Sequence, residues 1–272
     1  MKRDIIDREQ GTPTNEKDTG VNETMSAINA YFENLTRVLN EVQDTQSAAL
    51  EEGAKLLCEA TLTDHNIFAF GCSHAGLLAL ELYYRTGGMA NINPVRGPGL
   101  CCDVDPATMT SEIERLPQYG TILANNQPIG EGDVVIVHSV SGRNAVPVDF
   151  AHACREKGAK VIVLTNLTYS KGVTSRAPSG KRLFEEADLV LDNCGCPGDS
   201  SLEIKGVPEK VAPTSTAVGA AMVNAMMARA VELITEAGGI APIFMSANLD
   251  GGDEHNKKML AKYKDHIFYM GH

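Results

Sequence analysis

The feature that most constrains the fold is an apolar run of strand length followed at once by a small polar turn and a helical pattern. Residues 67–70 (Ile-Phe-Ala-Phe) lead through Gly71 into the turn 72–75 (Cys-Ser-His-Ala) and a helical pattern. Residues 134–138 (Val-Val-Ile-Val-His) lead in the same way into the turn 139–144 and a helix. Alternation of buried strands with helices predicts an α/β fold with a parallel sheet.

The other elements follow from periodicity. Apolar stripes predict helices over 25–42, about 46–60, 145–157 and 217–237, and apolar runs predict strands over 91–95, 161–164 and 189–191. The segment 192–213, rich in Gly and Pro, is predicted to be one long loop. Residues 1–22 are polar and lack periodicity, which predicts a flexible N-terminal extension before a single domain over 23–272.

Composition excludes several classes of function. The formal net charge of −11 argues against nucleic-acid binding, which requires a basic surface. No apolar stretch is expected to span a membrane, and the charged N-terminus lacks the apolar region of a signal peptide, so we expect a cytoplasmic protein. The seven cysteines lack the spacing of a disulfide framework or of a zinc pair, and we expect free thiols and no metal site.

Hydroxyl side chains recur where predicted strands give way to helices. We call residues 72–75 the first turn, 139–144 the second turn and 213–216 (Pro-Thr-Ser-Thr) the third turn. Each hydroxyl taken alone is most simply a helix cap. Three such turns at the strand ends of one sheet favour an anion or sugar site, because free N–H groups and positive helix ends converge there. The candidate binding residues are Ser73, His74, Ser139, Ser141, Arg143, Asn144, Thr214, Ser215 and Thr216.

A dinucleotide site is the alternative for the first turn. It is the weaker one, because Ser73 stands where the middle glycine of the fingerprint would be in 71–76 and no acidic residue closes a following strand nearby.

Three titratable residues are candidates for catalysis. Glu81 follows the first turn on its helix, although it could equally be an exposed glutamate paired with Arg85 four residues later. Glu209 lies in the loop just before the third turn. His255 lies in the polar segment Gly-Gly-Asp-Glu-His-Asn and could be an exposed residue of the tail.

Together these motifs resemble the sugar isomerase (SIS) domain. The resemblance rests on Ser-Val-Ser-Gly at 139–142, on the first turn with its leading Gly71 and on the Thr/Ser residues of the third turn. The blocks 141–147, 179–184, 213–216 and 248–256 are similar to single-domain SIS proteins described as phosphoheptose isomerase-like. The resemblance covers about residues 25–270.

The resemblance implies a five-stranded parallel αβα sandwich that forms a homodimer or higher homo-oligomer, with the N-terminal helices in the interface. It implies a sugar-phosphate site at the strand ends and needs no cofactor. In the isomerases of this family a glutamate moves a proton between C1 and C2, and a histidine often assists ring opening. Glu81, four residues before Arg85, matches that glutamate, and His255 is the candidate for the histidine.

Two departures from the family pattern affect the expected chemistry. Zinc-dependent phosphoheptose isomerases carry histidines where this chain has Leu77 and, near the middle of the long helix, Val223 or Asn224, so no zinc site of that kind is expected. Ala75 stands where relatives usually carry Ser or Thr, which allows weaker phosphate binding or an acidic group other than phosphate.

The leading hypothesis is therefore an aldose–ketose isomerase acting on a phosphorylated or otherwise acidic sugar, with Glu81 or Glu209 as the base. A lyase, etherase or deglycase on the same scaffold would use the same acid–base groups. A non-catalytic sugar-phosphate-binding regulator is the third hypothesis, since fold alone does not fix function.

Overall fold

A sheet of five parallel strands lies at the centre of the computed structural model, which describes residues 26–270. The strands are β1 (Ile67–Gly71), β2 (Ile92–Pro94), β3 (Val134–His138), β4 (Lys160–Thr165) and β5 (Leu189–Asp192). Their order is β2-β1-β3-β4-β5, and every neighbouring pair is parallel. The predicted α/β fold with a parallel sheet is confirmed, whereas the predicted extension over residues 1–22 lies outside the described residues.

Helices cover both faces of the sheet. They are α1 (Ala27–Leu62), α2 (Leu77–Leu82), α3 (Met109–Ile113), α4 (Tyr119–Asn125), α5 (Ala145–Glu156), α6 (Leu167–Lys171), α7 (Ser215–Glu236) and α8 (Gly252–Lys262). One core joins α1, α2 and α7 to the sheet, and a second core joins α4 and α5 to the opposite face. Because both faces are covered, β3 is buried along its whole length, as its unbroken apolar run predicts.

The prediction of two N-terminal helices was wrong, because 27–62 form one helix of 36 residues. The expected break near residues 43–45 contains no Gly or Pro, and the Thr45 hydroxyl donates to the Glu41 carbonyl at 2.7 Å within the helix. Packing against α7 supports α1, with Gly53 allowing a close approach to the Met226 side chain. Tertiary packing therefore overrides the weakly helical residues at the expected break.

Helix α7 is the most apolar helix, as predicted, and one of its faces belongs to the core with α1 and α2. Its 22 residues are long and apolar enough to cross a membrane by length and composition, which the sequence reasoning did not expect of any stretch. Burial of Val218, Met222, Val223 and Met226 against the sheet accounts for this apolar character as that of a core helix.

The segment 192–213, predicted to be a loop, contains an antiparallel hairpin of β6 (Ser200–Leu202) and β7 (Val211–Pro213). The prediction missed it because each strand has three residues and no alternating apolar pattern. The hairpin follows β5 and ends directly at the start of α7, so it places the segment 193–199 next to the third turn.

Candidate functional site

The first and second turns follow β1 and β3, which are neighbours in the middle of the sheet. From β1 the chain proceeds outward to β2, and from β3 it proceeds in the opposite direction to β4. Open α/β sheets bind ligands in the crevice at such a reversal of strand order, outside the carboxyl ends of the strands. The topology therefore brings two of the three predicted turns to the position where a ligand site is expected.

The first turn is a tight 3-10 turn from Ser73 to Gly76. Ser73 has a φ of 53°, an uncommon left-handed conformation for a serine, and its N–H donates to the Leu100 carbonyl at 2.6 Å. The Ser73 hydroxyl lies 3.8 Å from the Cys102 thiol, and Nδ1 of the exposed His74 lies 3.7 Å from the same sulfur. Strained residues of this kind concentrate at ligand sites, and here both predicted side chains point towards the segment after β2.

A cavity of about 500 Å³ lies beside the first turn, between α2 and the segment that follows β2. The guanidinium of Arg96 lies 4.8 Å from the centre of the Tyr83 ring and also donates to the Tyr83 hydroxyl. Within residues 26–270, Arg96 makes no ion pair with a carboxylate. The polar and charged residues lining the cavity are Ser73, Tyr83, Arg96, Cys101, Cys102 and Asp103.

The second turn uses most of its predicted groups internally. Ser139 is buried, and its hydroxyl accepts a hydrogen bond from the Gly142 N–H at 3.3 Å. The Arg143 guanidinium donates to the main-chain and side-chain oxygens of Thr174 at 3.0 and 3.2 Å. The half-buried Ser141 has no hydrogen-bond partner within the described residues. Ser141 is therefore the predicted hydroxyl of this turn that is free to meet a ligand.

The third turn is closed by a carboxylate of the protein itself. Asp199 accepts hydrogen bonds from the N–H groups of Thr214 and Ser215 at 3.3 and 2.9 Å and from the Ser215 hydroxyl at 2.5 Å. Thr214 and Ser215 are buried, and Thr216 is half-buried. The carboxylate satisfies the free donors at the start of α7, as a bound anion would. The predicted binding role of this turn therefore requires Asp199 to move away.

Glu81 lies on α2 and faces α7 rather than the cavity. Its carboxylate pairs with Arg85 and accepts a hydrogen bond from the Asn224 amide at 2.8 Å. Asn224 stands ten residues beyond Thr214 along α7, which corresponds to about 15 Å at the rise of an α-helix. Glu81 therefore contacts the middle of α7, away from the third turn at the start of that helix.

Neither of the other two predicted catalytic residues lines the cavity beside the first turn. Glu209 is exposed in the connection between β6 and β7. His255 lies on α8, and its Nε2 hydrogen-bonds to the Ile243 carbonyl at 2.9 Å. Ile243 bridges to Met89, just before β2, so His255 lies towards the edge of the sheet opposite the turns.

Two titratable residues near the turns were missed by sequence reasoning. His138 ends β3 and is buried; its Nδ1 donates to the Ala75 carbonyl at 3.0 Å, and its Nε2 has no hydrogen-bond partner in the part of the chain that the structure describes. Burial lowers the pKa of His138 to about 4, so the ring is neutral at pH 7. A titratable residue at the carboxyl end of a buried strand was a signal that could have identified it.

Glu114 is the second residue that was missed. It follows α3, and burial raises the pKa of its carboxyl, an effect opposed in part by a hydrogen bond from Asn144 and by the charges of Arg115 and Arg176. In the sequence it lies in the charged segment Glu-Ile-Glu-Arg at 112–115, which is typical of an exposed helix. No sequence signal indicated that Glu114 is half-buried.

No group of three or more His, Cys, Asp or Glu residues suited to a metal ion occurs within 26–270. The two positions that depart from the zinc-dependent pattern lie on facing helices, Leu77 on α2 and Val223 or Asn224 on α7. There the Asn224 amide hydrogen-bonds to Glu81 instead of offering a metal ligand.

Comparison with known proteins agrees with this fold. The SIS domain family matches residues 30–166, about half of the chain, and the chain belongs to this family. A UPF0309 protein of Shouchella clausii is 46% identical over 246 residues, covering 90% of this chain and 100% of the relative. A UPF0309 protein of Oceanobacillus iheyensis is 45% identical with the same coverage. The resemblance deduced from the sequence motifs is thereby confirmed.

A solved structure supports the same architecture. The phosphoheptose isomerase of Francisella tularensis aligns with a TM-score of 0.50 at 15% identity, covering 76% of this chain and 100% of that one. At this identity the likeness concerns the fold alone, and the five-stranded parallel sheet covered by helices is the shared feature.

Proposed function

We propose that this protein is an aldose–ketose isomerase that acts on a phosphorylated or otherwise acidic sugar. The observation that carries the proposal is the cavity of about 500 Å³ at the end of β1, which is lined by Ser73 and by Arg96, whose guanidinium pairs with no carboxylate within residues 26–270. Its volume lies in the range of small-molecule pockets. An arginine free of ion pairs at such a pocket is suited to a phosphate or carboxylate, because guanidinium binds both through two parallel hydrogen bonds.

Local charge favours an anionic ligand although the chain as a whole is acidic. The second turn contributes Arg143, and Arg176 donates to its Asn144 side chain at 3.1 Å. Arg96 lines the cavity together with Asp103, and its guanidinium is the group there that is suited to attract an anionic sugar from solution. The free Ser141 hydroxyl is suited to the acidic group, and the first turn is suited to the sugar hydroxyls.

Isomerisation between an aldose and a ketose requires only that a proton move between neighbouring carbons. A carboxylate and groups that stabilise the enediol oxygens are sufficient, so the reaction needs no cofactor. Of the two glutamates indicated by the sequence, Glu81 is the more restrained, with Arg85 and Asn224 as partners, whereas Glu209 is exposed. In a homo-oligomer His255 could reach a neighbouring site, where it would assist ring opening.

A non-catalytic sugar-phosphate sensor is the second candidate. It is favoured by the pairing of Glu81 with Arg85 and Asn224, which leaves that carboxylate less free to take a proton. A sensor and an isomerase would bind the same ligands, so conversion of the sugar, rather than binding, distinguishes them.

The test uses ribose 5-phosphate, arabinose 5-phosphate, glucose 6-phosphate and mannose 6-phosphate, with the four unphosphorylated sugars in parallel. We expect the wild-type protein to convert at least one phosphate to its ketose, measured by NMR. Arg96→Met should raise KM by about 10–100-fold, the equivalent of a charge-assisted hydrogen bond. Arg37→Met, at an exposed ion pair on α1, is the matched control and should leave turnover unchanged. Binding of a sugar phosphate without conversion would support the sensor instead.

The proposal includes a homodimer with α1 in its interface. Ile28 and Phe32 on the first turns of α1 are 70% and 62% exposed, which is unusual for large apolar side chains on one helix face. We expect light scattering to give twice the mass of the chain and Phe32→Glu to give the mass of a monomer. A wild-type monomer at micromolar concentration would contradict this part of the proposal.

A further inference from the structure

Two neighbouring cysteines, a histidine and a serine lie together beside the cavity at the end of β1. Cys101 and Cys102 belong to the segment that follows β2, and both line the cavity together with Ser73. The Cys102 sulfur lies 3.7 Å from Nδ1 of His74 and 3.8 Å from the Ser73 hydroxyl. A thiol, which becomes a nucleophile when it loses its proton, is therefore in contact with an imidazole that can take up that proton.

The main chain holds the two segments of this cluster against each other. The Ser73 N–H donates to the Leu100 carbonyl at 2.6 Å, and the Leu100 side chain is buried in the core. The Leu100 N–H donates to the Gly97 carbonyl at 3.0 Å, which closes a turn directly before the two cysteines. The approach of the cysteine segment to the first turn therefore rests on backbone and core contacts and does not depend on the contact between Cys102 and His74.

Cys102 is the most accessible of the seven cysteines, all of which lie within the described residues. It is exposed, whereas the others are buried or half-buried: Cys58, Cys72, Cys101, Cys154, Cys194 and Cys196. Cys194 also donates to the Asp192 carbonyl at 3.5 Å. Cys196 donates to the Ser200 carbonyl at 3.2 Å. Because thiol reactions depend on access, Cys102 should react before the other six.

His74 is suited to act as the base for this thiol. Its side chain is exposed, and in the part of the chain that the structure describes it makes no ion pair with a carboxylate. A cysteine with the ordinary pKa of about 8.5 is only about 3% thiolate at pH 7. A neighbouring base that accepts the proton can therefore increase the reactive fraction by at most about 30-fold.

We propose that Cys102 is a site of reversible modification by small disulfides and that the modified cysteine blocks the cavity; the ligand that is blocked is taken from the proposed function. His74 takes the thiol proton, and the Cys102 thiolate attacks one sulfur of the disulfide. A new S–S bond forms to Cys102 as the S–S bond of the reagent breaks, and the departing thiolate takes the proton from His74. Cys102 is oxidised and the departing thiol is the reduced product, and a second thiol reverses the reaction by the same exchange.

The added group occupies space that a sugar phosphate needs. Cys102 lines the cavity together with Ser73 and Arg96, and a volume of about 500 Å³ is that of a site for one small ligand. A disulfide-linked group that carries carboxylates, such as glutathione, also places negative charge beside the Arg96 guanidinium. Modification therefore takes away both the space and the cation with which an anionic sugar would be bound.

The first experiment follows the reaction of the folded protein with DTNB, an aromatic disulfide that releases a coloured thiolate. We expect one fast equivalent in the wild type and no fast phase in Cys102→Ser. Cys196→Ser, which replaces a half-buried cysteine that does not line the cavity, is the matched control and should keep the fast phase. Peptide mapping of the wild type by mass spectrometry identifies the first cysteine that reacts even if a variant folds poorly.

The role of His74 is tested by the pH dependence of the same reaction. His74→Gln should slow the fast phase about tenfold at pH 7 but less than about twofold at pH 9, where a thiol ionises without the help of a base. An equal slowing at both pH values would overturn the role of His74, because it would indicate a change in structure.

The second experiment tests whether modification blocks the cavity. It uses the sugar phosphate of the panel that raises the Tm of the wild-type protein most. This ligand should slow the labelling of Cys102, and prior treatment with glutathione disulfide should weaken its binding by about tenfold or more until dithiothreitol is added. The same treatment should not change the affinity of Cys102→Ser relative to the untreated variant.

Two results would overturn the inference and leave the proposed function in place. One is fast labelling of a cysteine other than Cys102. The other is a treated wild-type protein, modified at Cys102, that binds the sugar phosphate as tightly as the untreated protein. A protein that binds no member of the panel would overturn the proposed function and, with it, the blocking of the cavity.

Discussion

His138 should make the protein less stable as the pH falls below neutrality. Its ring is buried at the end of β3, and burial lowers its pKa from 6.5 to about 4. Unfolding restores the ordinary pKa, so between pH 6.5 and pH 4 the unfolded chain binds more protons than the folded chain and the free energy of unfolding falls as the pH falls. The full shift corresponds to about 3 kcal/mol, of which about 2 kcal/mol is lost between pH 7 and pH 5.

The assay compares urea unfolding of the wild type and of His138→Gln at pH 7 and pH 5. The glutamine cannot be protonated in this range, so the wild type should lose about 2 kcal/mol more than the variant, or about 4–8 °C in Tm for a chain of this size. His74→Gln replaces an exposed histidine and should follow the wild type. An equal loss of stability in the wild type and in His138→Gln would refute the reasoning that burial keeps this ring neutral.

Three further predictions follow from the packing around the site. Asp199→Ala should lower the free energy of unfolding by about 1–2 kcal/mol, because α7 loses the carboxylate that caps it. Added phosphate should raise the Tm of this variant more than the Tm of the wild type. An equal rise in both proteins would contradict the closure of the third turn by Asp199. Gly120→Ala should lower the free energy of unfolding in urea by about 2 kcal/mol or more, because its Cβ would clash with the Val146 carbonyl. Gly130→Ala is the control and should have little effect, because there is open space around Gly130. Glu114→Gln should be more stable than the wild type at pH 8 and equal to it near pH 4. The reason is that the raised pKa keeps the Glu114 carboxyl protonated longer in the folded protein, so the wild type loses stability as the pH rises above 4.5. A difference in stability that stays constant across this range would contradict the raised pKa of that carboxyl.

The sequence was sufficient for the elements whose stability is local or whose apolar pattern is unbroken. The structure has β3 at 134–138, the range predicted. Strands of a parallel sheet covered on both faces are read from unbroken apolar runs, and this run is one of them. Helix α1 and the β6–β7 hairpin were mispredicted for the opposite reason. The continuity of α1 depends on contacts with α7, and the hairpin has strands of three residues, so neither is encoded in a local pattern.

The candidate site was predictable in place but not in detail. Ser73 and Ser141 could be identified because strand–turn–helix spacing places them at the strand ends. The capture of the third turn by Asp199 could not, because the two are separated by a hairpin whose path the sequence does not reveal. The partial burial of Glu114 depends on the docking of α3 against α5, a contact between residues far apart in the chain.

The central claim is that the cavity at the end of β1 binds a sugar phosphate and that the protein moves a proton between the first two carbons of the sugar. The most direct test is to incubate the wild-type protein with each aldose phosphate of the panel in deuterated water and to measure by NMR the proton signal at C2 of the recovered aldose and at C1 of any ketose. The account predicts ketose formation with loss of proton signal at these carbons, since the enediol intermediate takes its proton back from a carboxyl that exchanges with solvent. Sugar phosphates that raise the Tm of the protein yet are recovered unconverted and without deuterium would contradict it.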